Sequence, residues 1–286
     1  MMKLVVEENK SLSSVSTLKV GGNATYFATV RTQEELSDAF QFCREGKIPY
    51  FILGKGSNII FDDNGYRGMV IQNKIGYIDS TEGIYSVGAG YSFSLLGVQT
   101  ARKGWGGLEF ASGIPGSVGG AVFMNAGANG GETCDTLISV DYVDEDGVIH
   151  VFKKEDLEFR YRWSSFHEMK GAVTGAIFSL QQSKSARDRQ IELVHYRKGT
   201  QPYGDASAGC AFRNPEGSSA GMLIDKCGLK GESIGGAKVS EKHANFIINT
   251  GHASSENILS LIEKIKKQVI EKSGIMLEQE IRFIPY

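Results

Sequence analysis

Residues 53–61 read Leu53-Gly54-Lys55-Gly56-Ser57-Asn58-Ile59-Ile60-Phe61: an apolar strand end, a glycine-rich turn and a second apolar run. Backbone N–H groups in such a turn form a concavity suited to phosphate oxygens, to which Ser57 and Asn58 can add side-chain hydrogen bonds. The turn is not a Walker loop, because GxxxxGK[ST] is missing, and not a Rossmann turn, because no GxGxxG opens a helix there. A second bare run, ASGIPGSVGGAVFMNAGANGG at 111–131, carries hardly any large or charged side chain. It reads either as backbone pressed against a flat or phosphorylated ligand or as a glycine-bent core segment, and glycine content alone does not separate the two.

Around these loops the hydrophobic pattern gives a mixed set of elements. Residues 32–45 predict a helix, with Thr32 and Glu35 as a capping box and Leu36, Ala39, Phe40 and Cys43 on one face, which makes Cys43 a core residue. Strands are expected at YFILG, MVI and IYSVGAG, a helix over 93–103, a hairpin over 138–152 turning at Gly147, and a strand over 173–180. Near residue 185 the chain becomes polar and enters a helix running to about Lys198, which places the domain boundary there. Beyond it come a short helix at 219–228, the strand NFIINT, and a long amphipathic helix at 255–273. Ile258, Leu261, Ile262, Ile265 and Val269 of that helix point inward, Gly274 closes it, and a last strand, MLEQEIRFI, follows. Helices and strands alternate without a βαβ rhythm, so the class is α+β.

The 286 residues suffice for a full core and two or three subdomains. A net charge of −2 excludes a general basic field for nucleic acid. No apolar stretch approaches the ~20 residues of a membrane span, and MMKLVVEENK lacks the apolar run of a signal peptide. Four cysteines without CxxC pairing read as reduced thiols of a cytoplasmic protein. The five histidines show no ligand spacing, so no metal is expected, and His243 reads as a structural hydrogen-bonder. No coiled coil or large apolar face calls for assembly, and a monomer is expected.

Three further stretches could carry chemistry. FRYRWSSF (159–166), if extended, puts Arg160 and Arg162 on one face and Tyr161 on the other; a surface arginine pair is the simpler alternative. In LEQEIRF, Glu278 and Glu280 share a face, as charges guarding a strand edge would also do. In SAGCAFRNP (207–215), Cys210 precedes Arg213 and Asn214, although a free cysteine is usually a packing residue.

Taken in order, STLKVGGNATYF, LGKGSNIIFDDNGYRGMVI, VGAG, GLEFASGIPGSVGGAVFMNAGA, YRWSSF, SAGCAFRNP, AGMLIDKCGLKGESIGGAKVSEKHANFIIN and LEQEIRFI resemble the UDP-N-acetylenolpyruvoylglucosamine reductase family over nearly the whole chain. The chain's short length and lack of a large insertion resemble the family's second structural type, without the tyrosine-bearing loop over the substrate. The resemblance implies a vanillyl-alcohol-oxidase-type FAD-binding fold. Residues 1–185 would form its two subdomains, divided near residue 72, and 186–286 a smaller substrate domain whose last strand, 276–286, brings Glu280 to the flavin. It implies non-covalent FAD and NADPH, with UDP-N-acetylglucosamine enolpyruvate as substrate.

By the same resemblance, Gly54, Lys55, Gly56, Ser57 and Asn58 hold the pyrophosphate. Gly113, Ile114, Gly116, Ser117, Gly120, Asn125, Ala126, Gly127 and Val173 line the cofactor. Arg162, Cys210 and Glu280 are the catalytic candidates; Tyr161, Lys198, Gln201, Arg213, Asn214 and Lys230 are the substrate contacts. Cys210 stands where many members carry a serine that protonates carbon after hydride transfer, and a thiol is the stronger acid. Glu280 is expected to donate a hydrogen bond, hence to hold its proton unusually well. Two rivals remain at this stage: a flavoenzyme of another small molecule on the same scaffold, and a non-catalytic nucleotide-binding protein.

Overall fold

The computed structural model describes residues 4–286. The chain forms two compact units that interleave in sequence. The first holds the residues up to Glu7, Tyr26–Lys55 and Gly68–Arg197; the second holds Glu8–Thr25, Gly56–Arg67 and Lys198–Tyr286. The units therefore part after Arg197, and two N-terminal segments belong with Lys198–Tyr286.

The first unit is built on a five-stranded antiparallel sheet in the order Ile149–Lys153, Leu137–Asp144, Gly171–Ser179, Ile84–Gly88, Ile78–Thr81. The expected 138–152 hairpin is its first pair, turning where Gly147 takes φ 84°. Helices α2 (Phe93–Arg102) and α3 (Val118–Phe123) contribute Phe93, Leu96, Val118 and Val122 to a core with Tyr85, Val140, Tyr142 and Phe178. Helix α1 (Gln33–Gly46) closes a second core in which Leu36, Phe40 and Cys43 meet Met69, Ile71 and Val143. The Thr32 hydroxyl caps α1 by accepting from the Glu35 N–H, but the Glu35 carboxylate accepts from Arg31 N–H at 2.6 Å, so only half of the expected capping box forms.

The second unit carries a four-stranded antiparallel sheet in the order Ala206–Cys210, Phe246–Asn249, Ala237–Val239, Ser233–Ile234. Helix α4 (Ala186–Thr200) runs across the unit division; α5 (Ala220–Lys226) and α6 (Ser255–Ser273) lie in the second unit. The five inward residues expected on α6 are fully buried against Phe212, Leu223, Ile247 and Ile281. The start of α6 is held by the Asp63 carboxylate, which accepts from Ser255 N–H at 2.8 Å, and its end by Gly274 at φ 70°. Among the described residues, no helix is long and apolar enough to cross a membrane.

Three local expectations need correction. The bare run at 111–131 is not one continuous loop, since α3 occupies Val118–Phe123 with the Ser117 hydroxyl accepting from Gly120 N–H. The last strand is regular only at Arg282–Ile284, which pairs in parallel with Ile59–Phe61; the preceding part makes a single bridge, Gln279 to Phe212. Residues 159–166 are not extended: Phe159–Arg160 and Trp163–Ser164 pair as a minimal hairpin whose turn is Tyr161-Arg162, with Arg162 at φ 57°. The turn separates the two arginines. Arg160 stacks on Trp163 and pairs with Glu158, while Arg162 stacks on Tyr161.

Candidate functional site

In the first unit the start of one bare loop, Gly54 and Lys55, lies beside the other, far from it in sequence. A Cβ placed on Gly54 would fall 2.5 Å from the Ser117 hydroxyl, an approach only glycine permits. Ser92 bridges to Ser117 through the backbone, and its hydroxyl receives Lys55 Nζ at 2.8 Å. Gly113, at φ 88°, donates its N–H to Ser94 Oγ at 2.7 Å, and Gly116 N–H turns back to the Ile114 carbonyl. Burial pushes the Lys55 ammonium below the ordinary lysine range even though the side chain keeps solvent access. A partly desolvated cation beside close-packed glycine backbone and small hydroxyls is the donor set a diphosphate needs. These residues therefore fit a dinucleotide cofactor.

The C-terminal end of the same run faces the Arg162 hairpin. Phe123 O accepts from Ser164 Oγ at 2.7 Å, Asn125 Nδ2 donates to Arg160 O at 3.1 Å, and Gly127 O accepts from Arg162 Nη2 at 3.0 Å. Alternate residues 123, 125 and 127 thus hold residues 164, 160 and 162. Ala126 O is taken by both the N–H and the hydroxyl of Thr133. Val173 is buried in the sheet, and its carbonyl accepts from Asn73 Nδ2 at 2.8 Å.

In the second unit Cys210 ends the strand Ala206–Cys210, just past a bulge that takes Gly209 to φ 79°. The C-terminal segment is stitched to the residues that follow it: Glu280 N–H donates to Ala211 O at 2.8 Å and Arg213 N–H to Glu278 O at 2.9 Å. Cys210 and Glu280 are thereby brought onto neighbouring strands of chain. Asn58 joins them, with Nδ2 3.4 Å from Glu280 O and its own carbonyl accepting from Arg282 N–H at 3.1 Å. The Arg213 guanidinium pairs with Glu278 at 3.0 Å, and Asn214 Oδ1 accepts from Ala220 N–H at the start of α5.

The remaining substrate candidates are less gathered. Lys230 pairs with Asp225 at 2.8 Å; Lys198 is exposed at the end of α4, where its carbonyl accepts from Lys242 Nζ; Gln201 O accepts from Tyr203 N–H. Burial, reinforced by the Lys230 charge, pushes His243 below the ordinary histidine range. Its Nδ1 accepts from Asn245 N–H at 3.3 Å, the structural role expected of it.

Sequence reasoning missed three residues that organise these groups. Ser92 anchors Lys55. Asn245, buried, pairs with both the N–H and C=O of Phe212 at 2.9 and 2.8 Å and so fixes the segment after Cys210. Arg197, one position before the Lys198 singled out in the sequence, is 5% exposed and donates to Phe110 O at the head of the bare loop. An amide inside the apolar run ANFIIN was the one available signal for Asn245; nothing in the sequence distinguished the other two.

Comparison with known proteins matches both halves of the chain. Residues 24–153 match an FAD binding domain, and residues 201–284 match the C-terminal domain of UDP-N-acetylenolpyruvoylglucosamine reductase. The chain is 56% identical to the UDP-N-acetylenolpyruvoylglucosamine reductase of Protochlamydia amoebophila, over 98% of this chain and 94% of that protein. It is 46% identical to the reductase of Chlamydia muridarum over 98% of this chain and 95% of that one. The crystal structure of the Thermus caldophilus reductase superposes with a TM-score of 0.83 at 40% identity, covering 100% of both chains.

Proposed function

The chain belongs to the UDP-N-acetylenolpyruvoylglucosamine reductase family, and from that premise we infer that it is the FAD-dependent oxidoreductase reducing UDP-N-acetylglucosamine enolpyruvate to UDP-N-acetylmuramate with NADPH, a step of peptidoglycan synthesis. Its fold is the vanillyl-alcohol-oxidase-type FAD-binding fold followed by a smaller α+β domain. The observation that carries this reading is likeness across 98% of the chain, with both the FAD-binding and the C-terminal halves represented.

Bound FAD supplies a two-electron relay between NADPH and the enolpyruvyl ether. The chain's own residues then have separate tasks. Backbone groups of Gly54–Asn58 and Gly113–Gly120, with the Ser57 hydroxyl, hold the diphosphate, and Lys55 offers the cation. Hydride arrival at the methylene carbon builds negative charge on the neighbouring carbon and its carboxylate, which the Arg162 guanidinium and a protonated Glu280 stabilise as fixed donors. Cys210 Sγ–H gives its proton to that neighbouring carbon and is later reprotonated from water. Arg213, Asn214, Tyr161, Lys198, Gln201 and Lys230 orient the sugar nucleotide.

Support for the Cys210 and Glu280 roles is their placement on adjacent, cross-bonded segments of the second unit. The cofactor-binding part is assigned to residues 1–185 and the substrate-binding part to 186–286. The protein acts as a cytoplasmic monomer of the type without the tyrosine-bearing loop, with no nucleic-acid or membrane partner.

The visible spectrum tests the reading. Purified protein loaded with FAD should be yellow, bleach with NADPH and recolour on addition of UDP-N-acetylglucosamine enolpyruvate. A protein that cannot be loaded with FAD, or one bleached by NADPH but not recoloured, would overturn it.

A further inference from the structure

Asn125 was expected to line the cofactor, yet its side chain is 0% exposed and its amide is committed within the protein. Nδ2 donates to Glu132 Oε2 at 2.9 Å and to the Arg160 carbonyl at 3.1 Å, while Oδ1 accepts from Cys134 N–H at 3.1 Å. A carboxamide has two N–H donors, and both are used here. The residue also holds φ 41°, a left-handed conformation that asparagine tolerates better than most L residues. The side chain is thus committed to protein groups, which leaves the main chain of Asn125 to line the cofactor. Asn125 ties the flavin loop to the 159–164 hairpin through a buried side chain that reaches across to the hairpin backbone.

We propose that Asn125 is the positioning residue for Arg162. The Arg160 carbonyl it grips lies two residues before Arg162, in the pair Arg160–Trp163 that frames the turn. With that carbonyl fixed, Arg162, itself at φ 57°, is presented so that Nη2 reaches Gly127 O, two residues past Asn125. The bonds at Ser164 and at the guanidinium grip the strand that leaves the turn and the side chain itself, whereas Asn125 grips the strand that enters the turn. Glu132 acts through the same amide, since its carboxylate orients Nδ2 and excludes the flipped rotamer, whose oxygen would face two acceptors. The inference rests on the role given to Arg162 above, and it adds the means by which the loop that lines the flavin also aims the arginine.

A double-mutant cycle with two readouts tests it. Arg162→Ala should slow recolouring of reduced enzyme by substrate on the order of 10²- to 10³-fold, the usual cost of losing one fixed donor to developing charge. Asn125→Gly, which suits the positive φ, should slow the same step by at least about tenfold. In its background, Arg162→Ala should cost much less than it does alone. Effects that multiply fully would overturn the proposal.

The second readout needs no cofactor. In a Trp105→Phe background, emission of the apoprotein reports Trp163, which sits on Arg160 at 4.8 Å and beside His167. Asn125→Gly should shift this emission to the red and raise its quenching by acrylamide, and an unchanged spectrum would count against the proposal. If Asn125→Gly does not fold, Asn125→Asp keeps the volume and the acceptor for Cys134 and carries the same cycle. If Arg162→Ala alone leaves recolouring unchanged, the catalytic assignment of Arg162 fails, while Trp163 emission still decides whether Asn125 places the hairpin.

Discussion

Gly54→Ala is the sharpest probe of the two-loop cofactor site. The added Cβ would lie 2.5 Å from Ser117 Oγ and 3.6 Å from Ser117 Cβ. Ordinary contact begins near ~3.4 Å, so the loops must part by about 0.9 Å or the Ser117 rotamer must change. Gly54 does not occupy the left-handed region, so the penalty is one of space and not of backbone strain. Overpacking of this size costs about 1–3 kcal/mol. Spent on the juxtaposition that holds the diphosphate, it should raise the FAD dissociation constant roughly 5- to 150-fold. Quenching of flavin fluorescence on titration into apoprotein measures this directly.

The structure also specifies the rescue. Ser117→Ala removes the clashing oxygen and leaves a 3.6 Å carbon–carbon contact, at the cost of the cap on Gly120 N–H, whose 3.3 Å length places it toward the weak end of the ~0.5–2 kcal/mol range. The double variant should therefore bind FAD more tightly than Gly54→Ala alone. If Gly54→Ala binds like the parent protein, or if adding Ser117→Ala makes matters worse, the adjacency of the two loops does not govern cofactor binding.

Other expectations follow from individual groups. Cys210→Ala should leave bleaching by NADPH intact and slow recolouring by substrate greatly, whereas Cys210→Ser should retain recolouring; equal rates for both half-reactions in the alanine variant would remove the proton-donor role. Lys55→Met should weaken FAD binding yet stabilise the apoprotein, because the ammonium is held in a place that disfavours its charge. The destabilisation by Lys55 is fully present below its depressed folded value and fades as pH rises through it toward ~10.4, which thermal melts across alkaline pH can follow. His243, also depressed, contributes stability as the neutral imidazole, present above its unfolded value of ~6.5 and lost as pH falls from there through the folded value. His243→Asn should flatten the melting temperature between neutral and mildly acidic pH.

The helices were legible because period and caps agree. For α6 the apolar stripe marked the helix and Gly274 its end, and packing had only to follow them. The strands of the five-stranded sheet were legible as runs, but their order was not, since pairing across long sequence separations leaves no local trace. The hairpin at 159–164 misled the period-two reading because the chain turns at Tyr161-Arg162, with Arg162 at positive φ, and neither residue is glycine. At the site, residue types marked the groups that could do chemistry. They did not reveal the polar residues that hold those groups, because Ser92, Asn245 and Arg197 take their roles from atoms distant in sequence.

Asn245 shows how much depends on one such residue. Its amide substitutes for a neighbouring strand, giving Phe212 N–H an acceptor at 2.9 Å and Phe212 C=O a donor at 2.8 Å, both in the buried interior. Asn245→Leu keeps the branched outline of the side chain, with bulkier methyls in place of the amide, but leaves two main-chain groups unsatisfied. Each costs about 1–3 kcal/mol when buried, so a loss of roughly 2–6 kcal/mol is expected. At about 2.1 cal/mol/K of unfolding entropy per residue, that is a fall in melting temperature of roughly 3–10 °C for a chain of this size. The adjoining main-chain bonds from Ala211 N–H to Asn245 O and from Glu280 N–H to Ala211 O need no side chain, so the sheet should survive while the segment after Cys210 loosens. Recolouring by substrate, which depends on Cys210 and Glu280 keeping their places, should then suffer more than bleaching by NADPH. A variant that melts at the parent temperature would show that water or a shifted backbone replaces the amide. Equal slowing of both half-reactions would show that the anchor serves the unit as a whole and not the proton donor it stands behind.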